Sequence, residues 1–146
     1  MKTVIIGGVA AGMSTAAKLK RELKDEHIVV YEKTDEVSYG ACGLPYYVSG
    51  ENDDLNKLRI RSVAQFEKAG IEVHINHEVI DVDFKKKQIK IKHGDEIFED
   101  SYDRLVIASG AAAIVPPIEG ANHDKVHVLK TLADGEALKK AADDAQ

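Results

Sequence analysis

Two groups of residues in this chain could do chemistry. A glycine-rich turn runs from Gly7 to Gly12, and Glu32 follows Gly7 by 25 positions. Such a turn lets the backbone approach a pyrophosphate, and a helix starting there presents free amides to its charge. A carboxylate at Glu32 would accept hydrogen bonds from adenosine ribose hydroxyls and disfavour a 2′-phosphate, so NADP is not expected here. The second group is a single cysteine, Cys42.

The elements around the turn fit this reading. Lys2 to Ile6 predicts a buried parallel strand, Ala10 to Leu23 an amphipathic helix, and Ile28 to Tyr31 a second strand. Val9 stands where the G-x-G-x-x-G template has its middle glycine. A tight strand–helix turn with no nucleotide is therefore the alternative.

Cys42 lies between Gly40 and Pro45, where the sequence predicts the start of a short helix. Partial positive charge at that position would favour the thiolate, which is the reactive form of cysteine. A buried structural cysteine is the alternative, since free thiols are commonly buried. The local sequence does not decide between the two.

The remaining chain predicts further elements. Ser62 and Gln65 have capping-box spacing, so a helix should begin there, run through Lys68 and stop at Gly70. An alternating run from Ile71 to Ile75 begins a series of short strands that we expect to form an antiparallel meander. The remaining predicted elements are the meander strands 79–84, 89–92 and 97–102, an apolar strand 105–108, a strand 126–129 and a C-terminal helix from Thr131.

Composition excludes several classes. The net charge is −5 and no long basic block occurs, which argues against nucleic acid or an anionic membrane as partner. No apolar run approaches the roughly 20 residues of a membrane span, and no signal peptide is recognisable, so a cytoplasmic location is expected. One cysteine permits neither an internal disulfide nor a cysteine-based zinc site. His74 and His77 would point to opposite faces of a strand, so no metal site is expected.

Several segments together resemble the N-terminal FAD domain of the pyridine nucleotide-disulfide oxidoreductases. The segments that carry the resemblance are 7–13, 32–33, 37–46, 102–110 and 116–120. The resemblance implies an α/β fold: a Rossmann-like FAD-binding domain, here incomplete, with a parallel sheet and a three-stranded antiparallel meander. The insertion of a meander after the second strand favours FAD over NAD, whose domains usually continue βαβ. Residues 1–120 would be the first part of the FAD domain, and residues 121–146 a strand and helix leading to an NAD(P)H domain absent from this sequence.

The branch of the family depends on one position. Tyr47 stands where the two-cysteine members carry their second cysteine, so the chain resembles the single-cysteine group: coenzyme A-disulfide reductases, NADH oxidases and peroxidases, and persulfide reductases. The resemblance implies that NAD(P)H reduces FAD, FAD reduces Cys42, and Cys42 reduces a small disulfide, persulfide, peroxide or oxygen. Coenzyme A is a possible substrate, and the parent protein is expected to be a homodimer. The alternative is a catalytically silent FAD- or ADP-binding module.

The resemblance also assigns individual residues. The expected FAD-binding residues are Gly7, Gly8, Val9, Ala10, Ala11, Gly12, Glu32, Lys33, Val79, Ser109 and Gly110. Cys42 is the expected catalytic residue, and the expected substrate-binding residues are Lys18, Arg21, Ser38 and Tyr39. For Lys18 and Arg21 a solvated basic helix face is the alternative. Two departures stand out: Ala41 replaces an asparagine common in coenzyme A-disulfide reductases, and Ala112-Ala113 replaces a polar residue and proline.

Overall fold

The computed structural model describes residues 1–145. The chain divides into two units, residues 1–39 with 61–110, and residues 40–60 with 111 onward, and each is described by itself. Within residues 1–145, no helix has the length and apolar character needed to cross a membrane.

The first unit is built on a four-stranded parallel sheet. Its strands are β1 (Lys2–Ile6), β2 (His27–Tyr31), β3 (Ile71–His74) and β7 (Arg104–Ile107), in the order β3-β2-β1-β7. Chain order reverses at β1, which has β2 on one side and β7 on the other. In open parallel sheets, ligands bind beyond the carboxyl ends of the strands at such a reversal. The topology therefore points to the end of β1, where the glycine turn begins.

Alternate residues of the central strands β1 and β2 belong to two different apolar clusters. Ile5 packs with Met13 and Ala16 of helix α1 (Ala10–Glu22), so the small and apolar positions of the predicted helix face the sheet. Helix α3 (Val63–Lys68) contributes Phe66 to the same cluster. Both halves of the capping box predicted for α3 are present.

The second cluster joins the sheet to the predicted meander, which is confirmed. Its strands β4 (Glu78–Asp83), β5 (Gln88–His93) and β6 (Glu96–Ser101) pair antiparallel in the order β4-β5-β6. Ile89 and Ile91 of β5 are buried against Val4, Val29 and Tyr31. The meander thus covers the sheet face opposite α1.

One strand belongs to a different sheet from the one expected. The alternating run that begins at Ile71, grouped with the meander in the sequence, forms β3 and pairs parallel with β2 through residues 71–74. Period-two alternation predicts a half-buried strand but carries no information on its partner. The assignment to the meander was wrong, and the run instead extends the parallel sheet.

The second unit contains two helices, α2 (Leu44–Ser49) and α4 (Leu132–Asp144). The expected C-terminal helix is confirmed, and Thr131 and Asp134 cap it reciprocally. The strand expected at 126–129 does not form. Val126, Val128 and Leu129 are instead exposed, so their apolar run reflects an open segment rather than a paired strand.

A polar cluster ties β1 and β2 to the meander. Asp100 accepts hydrogen bonds from the Lys2 ammonium at 2.5 Å and the Tyr31 hydroxyl at 2.7 Å. Burial opposes ionisation of Asp100, but donors from Lys2, Tyr31 and the Ser101 amide outweigh it and hold the Asp100 pKa below its ordinary value. Burial and the same hydrogen bond raise the pKa of Tyr31. The ionised carboxylate therefore stabilises the junction between the two sheets.

We expect Asp100→Asn to lower the free energy of unfolding by about 1–2 kcal/mol at neutral pH, because it removes the charge but keeps the shape. A depressed pKa in the folded state gives stability that is present above about pH 4 and lost as pH falls through the folded value. The deficit of the variant should therefore shrink in acid. Urea unfolding at pH 7 and pH 3 measures this, with Asp95→Asn in an exposed turn as the control. A deficit equal at both pH values would contradict it.

Candidate functional site

The glycine turn brings β1, α1 and β7 into close contact. Gly7 has a φ of +105°, a conformation that residues with a Cβ rarely adopt. A Cβ on Gly7 would overlap the carbonyl oxygen of Ala108, and a Cβ on Gly12 would overlap that of Gly7. The two glycines therefore permit the approach of helix to strand that a dinucleotide turn requires.

The first turn of α1 is open to an anion. Val9 is the N-cap, no side chain caps the helix, and its first turn carries no acidic residue. The first amide bonded within the helix is that of Met13, which donates to the Val9 carbonyl at 3.1 Å. The preceding amides and the dipole of this 13-residue helix favour a negatively charged ligand.

Glu32 supplies a buried carboxylate at the same edge, with a side chain only 5% exposed. The Gly8 amide donates to its Oε2 at 2.6 Å. The amide and hydroxyl of Thr34 both donate to its Oε1, each at 2.9 Å. A Cβ on Gly8 would lie 2.9 Å from the Glu32 Cβ and 3.0 Å from Val37, so Gly8 has no side chain where the carboxylate packs.

The backbone around Glu32 is also fixed. Its amide donates to the His74 carbonyl at 2.9 Å, and its carbonyl accepts from the His77 amide at 2.8 Å. The neighbouring Tyr31 carbonyl accepts from the Gly7 amide at 2.8 Å. The carboxylate is thus held between the glycine turn and the end of β3.

Other predicted cofactor residues occupy varied places. Ser109 and Gly110 are exposed directly after β7, and the preceding Ala108 amide donates to the Ile6 carbonyl at 2.8 Å. The Val79 side chain packs against the second apolar cluster, and Lys33 is exposed. The structure therefore brings the residues of the turn together with Glu32, while direct roles for Lys33 and Val79 stay predictions.

Sequence reasoning missed two donors to Glu32. Gly8 was assigned only as part of the turn, and Thr34 was not assigned at all. A threonine two positions after an acid at a strand end can return its hydroxyl to that acid, and this local pattern was the available signal.

The expectation that His74 and His77 point apart was wrong. Their ring centroids are 5.2 Å apart, and the rings of His77 and His93 stack at 4.1 Å and 12°. The strand ends at His74, and Asn76 turns the chain with a φ of +58°. The alternation rule therefore stops before His77. Within residues 1–145, no group of three side chains is placed to hold a metal ion.

The carboxylate of Glu72 lies beside two histidines of the parallel sheet, His27 and His74. Glu72 lies 2.8 Å from the Nε2 of His27 and 2.7 Å from that of His74. The hydrogen bond from His27, supported by His74, holds the pKa of Glu72 below its usual range. These contacts order the outer edge of the parallel sheet.

Cys42 lies in the second unit and its side chain is exposed. It occupies a 3-10 turn, Ala41–Gly43, directly before α2. The Gly40 amide donates to the Leu58 carbonyl at 2.9 Å, and a Cβ on Gly43 would overlap the Leu58 side chain. A buried structural cysteine is therefore not what the structure shows.

Tyr47, at the position of the missing second cysteine, packs with α4. Its carbonyl accepts from the Lys139 ammonium at 3.3 Å, and that ammonium lies 5.3 Å from the centre of the Tyr47 ring. The position is therefore used for packing.

The predicted substrate residues are placed as follows. Lys18 and Arg21 are exposed on α1, and Lys18 forms an ion pair with Glu22 at 2.7 Å. Ser38 has a φ of +50°, and its amide donates to the Gly8 carbonyl at 2.9 Å. Tyr39 is buried. Substrate contacts by these four side chains stay predictions.

A family model described as pyridine nucleotide-disulphide oxidoreductase matches residues 1–146. The chain belongs to this family. It is 38% identical over 143 residues, 96% of the chain, to an NADH oxidase of Methanocaldococcus jannaschii, of which it covers 32%. It is 32% identical over 148 residues, 99% of the chain, to a coenzyme A disulfide reductase of Staphylococcus haemolyticus, of which it covers 33%.

The fold of the chain is also similar to that of a solved structure. A NAD-dependent persulfide reductase from A. fulgidus has a TM-score of 0.94 and 37% identity, covering 99% of this chain and 27% of the neighbour. The chain thus spans about a third of the length of the curated relatives it matches.

We expect Gly12→Ala to cost about 3 kcal/mol or more of stability, because the new methyl would meet the Gly7 carbonyl oxygen, which is backbone and cannot rotate away. Thermal unfolding of the ligand-free protein measures the loss. Ser14→Ala, on the exposed side of the same helix, is the control and should change little. Equal melting temperatures for the two variants would show that the turn is not tightly packed.

Proposed function

We propose that this chain provides the ADP-binding half of an FAD site and the redox cysteine of an NAD(P)H-dependent flavoprotein oxidoreductase. The observation that carries the proposal is the buried carboxylate of Glu32, held beside the open N-terminus of α1 at the carboxyl edge of the sheet. An acceptor for ribose hydroxyls and a donor set for pyrophosphate are the two parts that an ADP group requires.

Each residue has a defined role in this proposal. The amides at Ala10 to Gly12 bind the pyrophosphate, and Glu32 accepts from the ribose. The backbone of Val79 lies against adenine, with Lys33 at the rim, while Ser109 and Gly110 contact the flavin end. The flavin supplies two-electron transfer between NAD(P)H and a thiol.

Cys42 is the proposed nucleophile. Its thiolate attacks one sulfur of a small disulfide, forms a mixed disulfide and expels the other sulfur as a thiolate. Two electrons originating from NAD(P)H then cleave the mixed disulfide into two thiolates, which restores Cys42. Its exposed sulfur satisfies the access that this exchange needs. Ser38, Tyr39, Lys18 and Arg21 are proposed to bind the substrate.

Relatives of this chain have names that differ in electron acceptor: an NADH oxidase, a coenzyme A disulfide reductase and a persulfide reductase. We propose a small disulfide, persulfide, peroxide or oxygen as the acceptor of the complete enzyme, with coenzyme A as a possible thiol. Because the chain spans about a third of those relatives, turnover is proposed for the complete protein. A homodimeric parent, a cytoplasmic location and a domain boundary at residue 120 stay predictions.

We expect Glu32→Gln to weaken ADP binding at least about tenfold. If the new amide nitrogen faces Gly8, the Gly8 amide loses its acceptor and the ribose hydroxyl loses Oε2. If it faces Thr34, both Thr34 donors lose their acceptor on Oε1. Isothermal titration calorimetry of the 146-residue chain with ADP measures this. Asp25→Asn, an exposed acid elsewhere in the first unit, is the control. Unchanged affinity in Glu32→Gln would remove Glu32 from the site.

In the complete enzyme, we expect Cys42→Ser to reduce disulfide or peroxide turnover by at least about a thousandfold, because the serine hydroxyl cannot replace the thiolate in exchange. FAD content, read from the visible spectrum, should not change. Ser49→Ala on the exposed end of α2 is the matched control. Full turnover by Cys42→Ser would overturn the catalytic role of Cys42. A colourless chain that still binds ADP would favour the silent ADP-binding module.

A further inference from the structure

The hydroxyl of Thr34 has no role in the family resemblance or in the turn. Its shortest contact is to Glu32 Oε1, at 2.9 Å. It also lies 3.2 Å from the Glu36 carbonyl and 3.4 Å from the Glu36 amide. Because the carboxylate is charged and nearer, it is the better acceptor for the hydroxyl proton, and the Glu36 amide can donate to the oxygen.

Thr34 is itself held in place by backbone contacts. Its carbonyl accepts from the Asn76 amide at 2.9 Å, in the turn that follows β3. Its own amide donates to Glu32 Oε1 at 2.9 Å. The hydroxyl therefore projects from a fixed backbone.

The donors leave little free capacity on the carboxylate. A carboxylate offers about four lone-pair positions. Three are filled, by the Gly8 amide on Oε2 and by the amide and hydroxyl of Thr34 on Oε1. Roughly one position remains, and it lies on Oε2. Which oxygen receives a ligand is therefore set by where Thr34 donates.

We propose that Thr34 is a positioning residue for the nucleotide site: its hydroxyl fixes Glu32 so that Oε2 is the oxygen that receives a ribose hydroxyl. This inference rests on the proposed ADP-binding function. Without the hydroxyl, Oε1 keeps one donor, and the carboxylate turns about its terminal bond more freely. Nucleotide binding then has to order the Glu32 carboxylate, and the hydrogen bond from the Gly8 amide to that carboxylate is less well maintained.

The test compares Thr34→Val, which keeps the β-branched shape and the backbone amide, with Thr34→Ser, which keeps the hydroxyl. Calorimetry of the 146-residue chain gives the affinities for ADP and for 2′,3′-dideoxy-ADP. We expect Thr34→Val to bind ADP about three- to tenfold more weakly, and Thr34→Ser to remain within about twofold of the original chain. All three proteins should bind the dideoxy ligand equally, since it offers no hydroxyl to Glu32.

A second measurement needs no ligand. Hydrogen exchange of the Gly8 amide, followed by NMR, should accelerate in Thr34→Val and not in Thr34→Ser, while amides of the meander remain unchanged. A purely structural role would alter both variants or the whole unit.

The outcomes separate the two proposals. If Thr34→Val binds ADP as tightly as the original chain, or more tightly, the positioning role is overturned. If the original chain binds ADP and its dideoxy analogue equally, or neither, the ribose role of Glu32 fails. Hydrogen exchange of the Gly8 amide is then the remaining test of the positioning role of Thr34. Faster exchange in Thr34→Val supports the positioning of the carboxylate, and unchanged exchange overturns it.

Discussion

The carbonyl oxygen of Gly7 occupies the space in which a side chain on Gly12 would begin. This single contact brings α1 onto β1 and determines where the first amides of the helix point. It also places Gly8 against the end of β2, so that its amide reaches the Glu32 carboxylate. β1, α1 and Glu32 meet at one edge of the sheet because Gly8 and Gly12 have no Cβ to separate them.

Burying the Glu32 carboxylate costs free energy of hydration, which its three donors offset. Two of these donors come from Thr34 and one from the turn, while the backbone on either side of the acid is bonded to the end of β3. The site is therefore assembled from segments far apart in sequence. Its geometry depends on the parallel pairing of β2 and β3 as much as on the glycines.

Local patterns predicted most of the fold. The strand–turn–helix–strand opening, both capped helices and the meander follow from spacing, apolar faces and turn residues, and the structure confirms them. Partner choice was beyond such patterns. The run at Ile71 alternates in the same way in either sheet, and the 126–129 run is apolar without being paired.

The side chains of the site were predictable to a similar limit. Glu32 was predicted because the dinucleotide fingerprint has an acid roughly 20 residues after its glycine turn, and the structure places Glu32 against that turn. His77 was misplaced because the positive φ of Asn76 ends the alternation. Thr34 was missed although a threonine two positions after an acid at a strand end is a local signal for the hydrogen bond that it donates to Glu32.

The contact between Gly8 and Glu32 also limits how the proposed nucleotide preference could be changed. A site for a 2′-phosphate would need the negative charge at position 32 removed. An apolar replacement would leave the Gly8 and Thr34 amides without their acceptor in a place that water reaches poorly. A basic replacement at position 32 would place its own hydrogen-bond donors next to the donors of Gly8 and Thr34. Redesign of this edge for a phosphorylated ribose therefore has to begin with a new acceptor for Gly8, and only then with a cation.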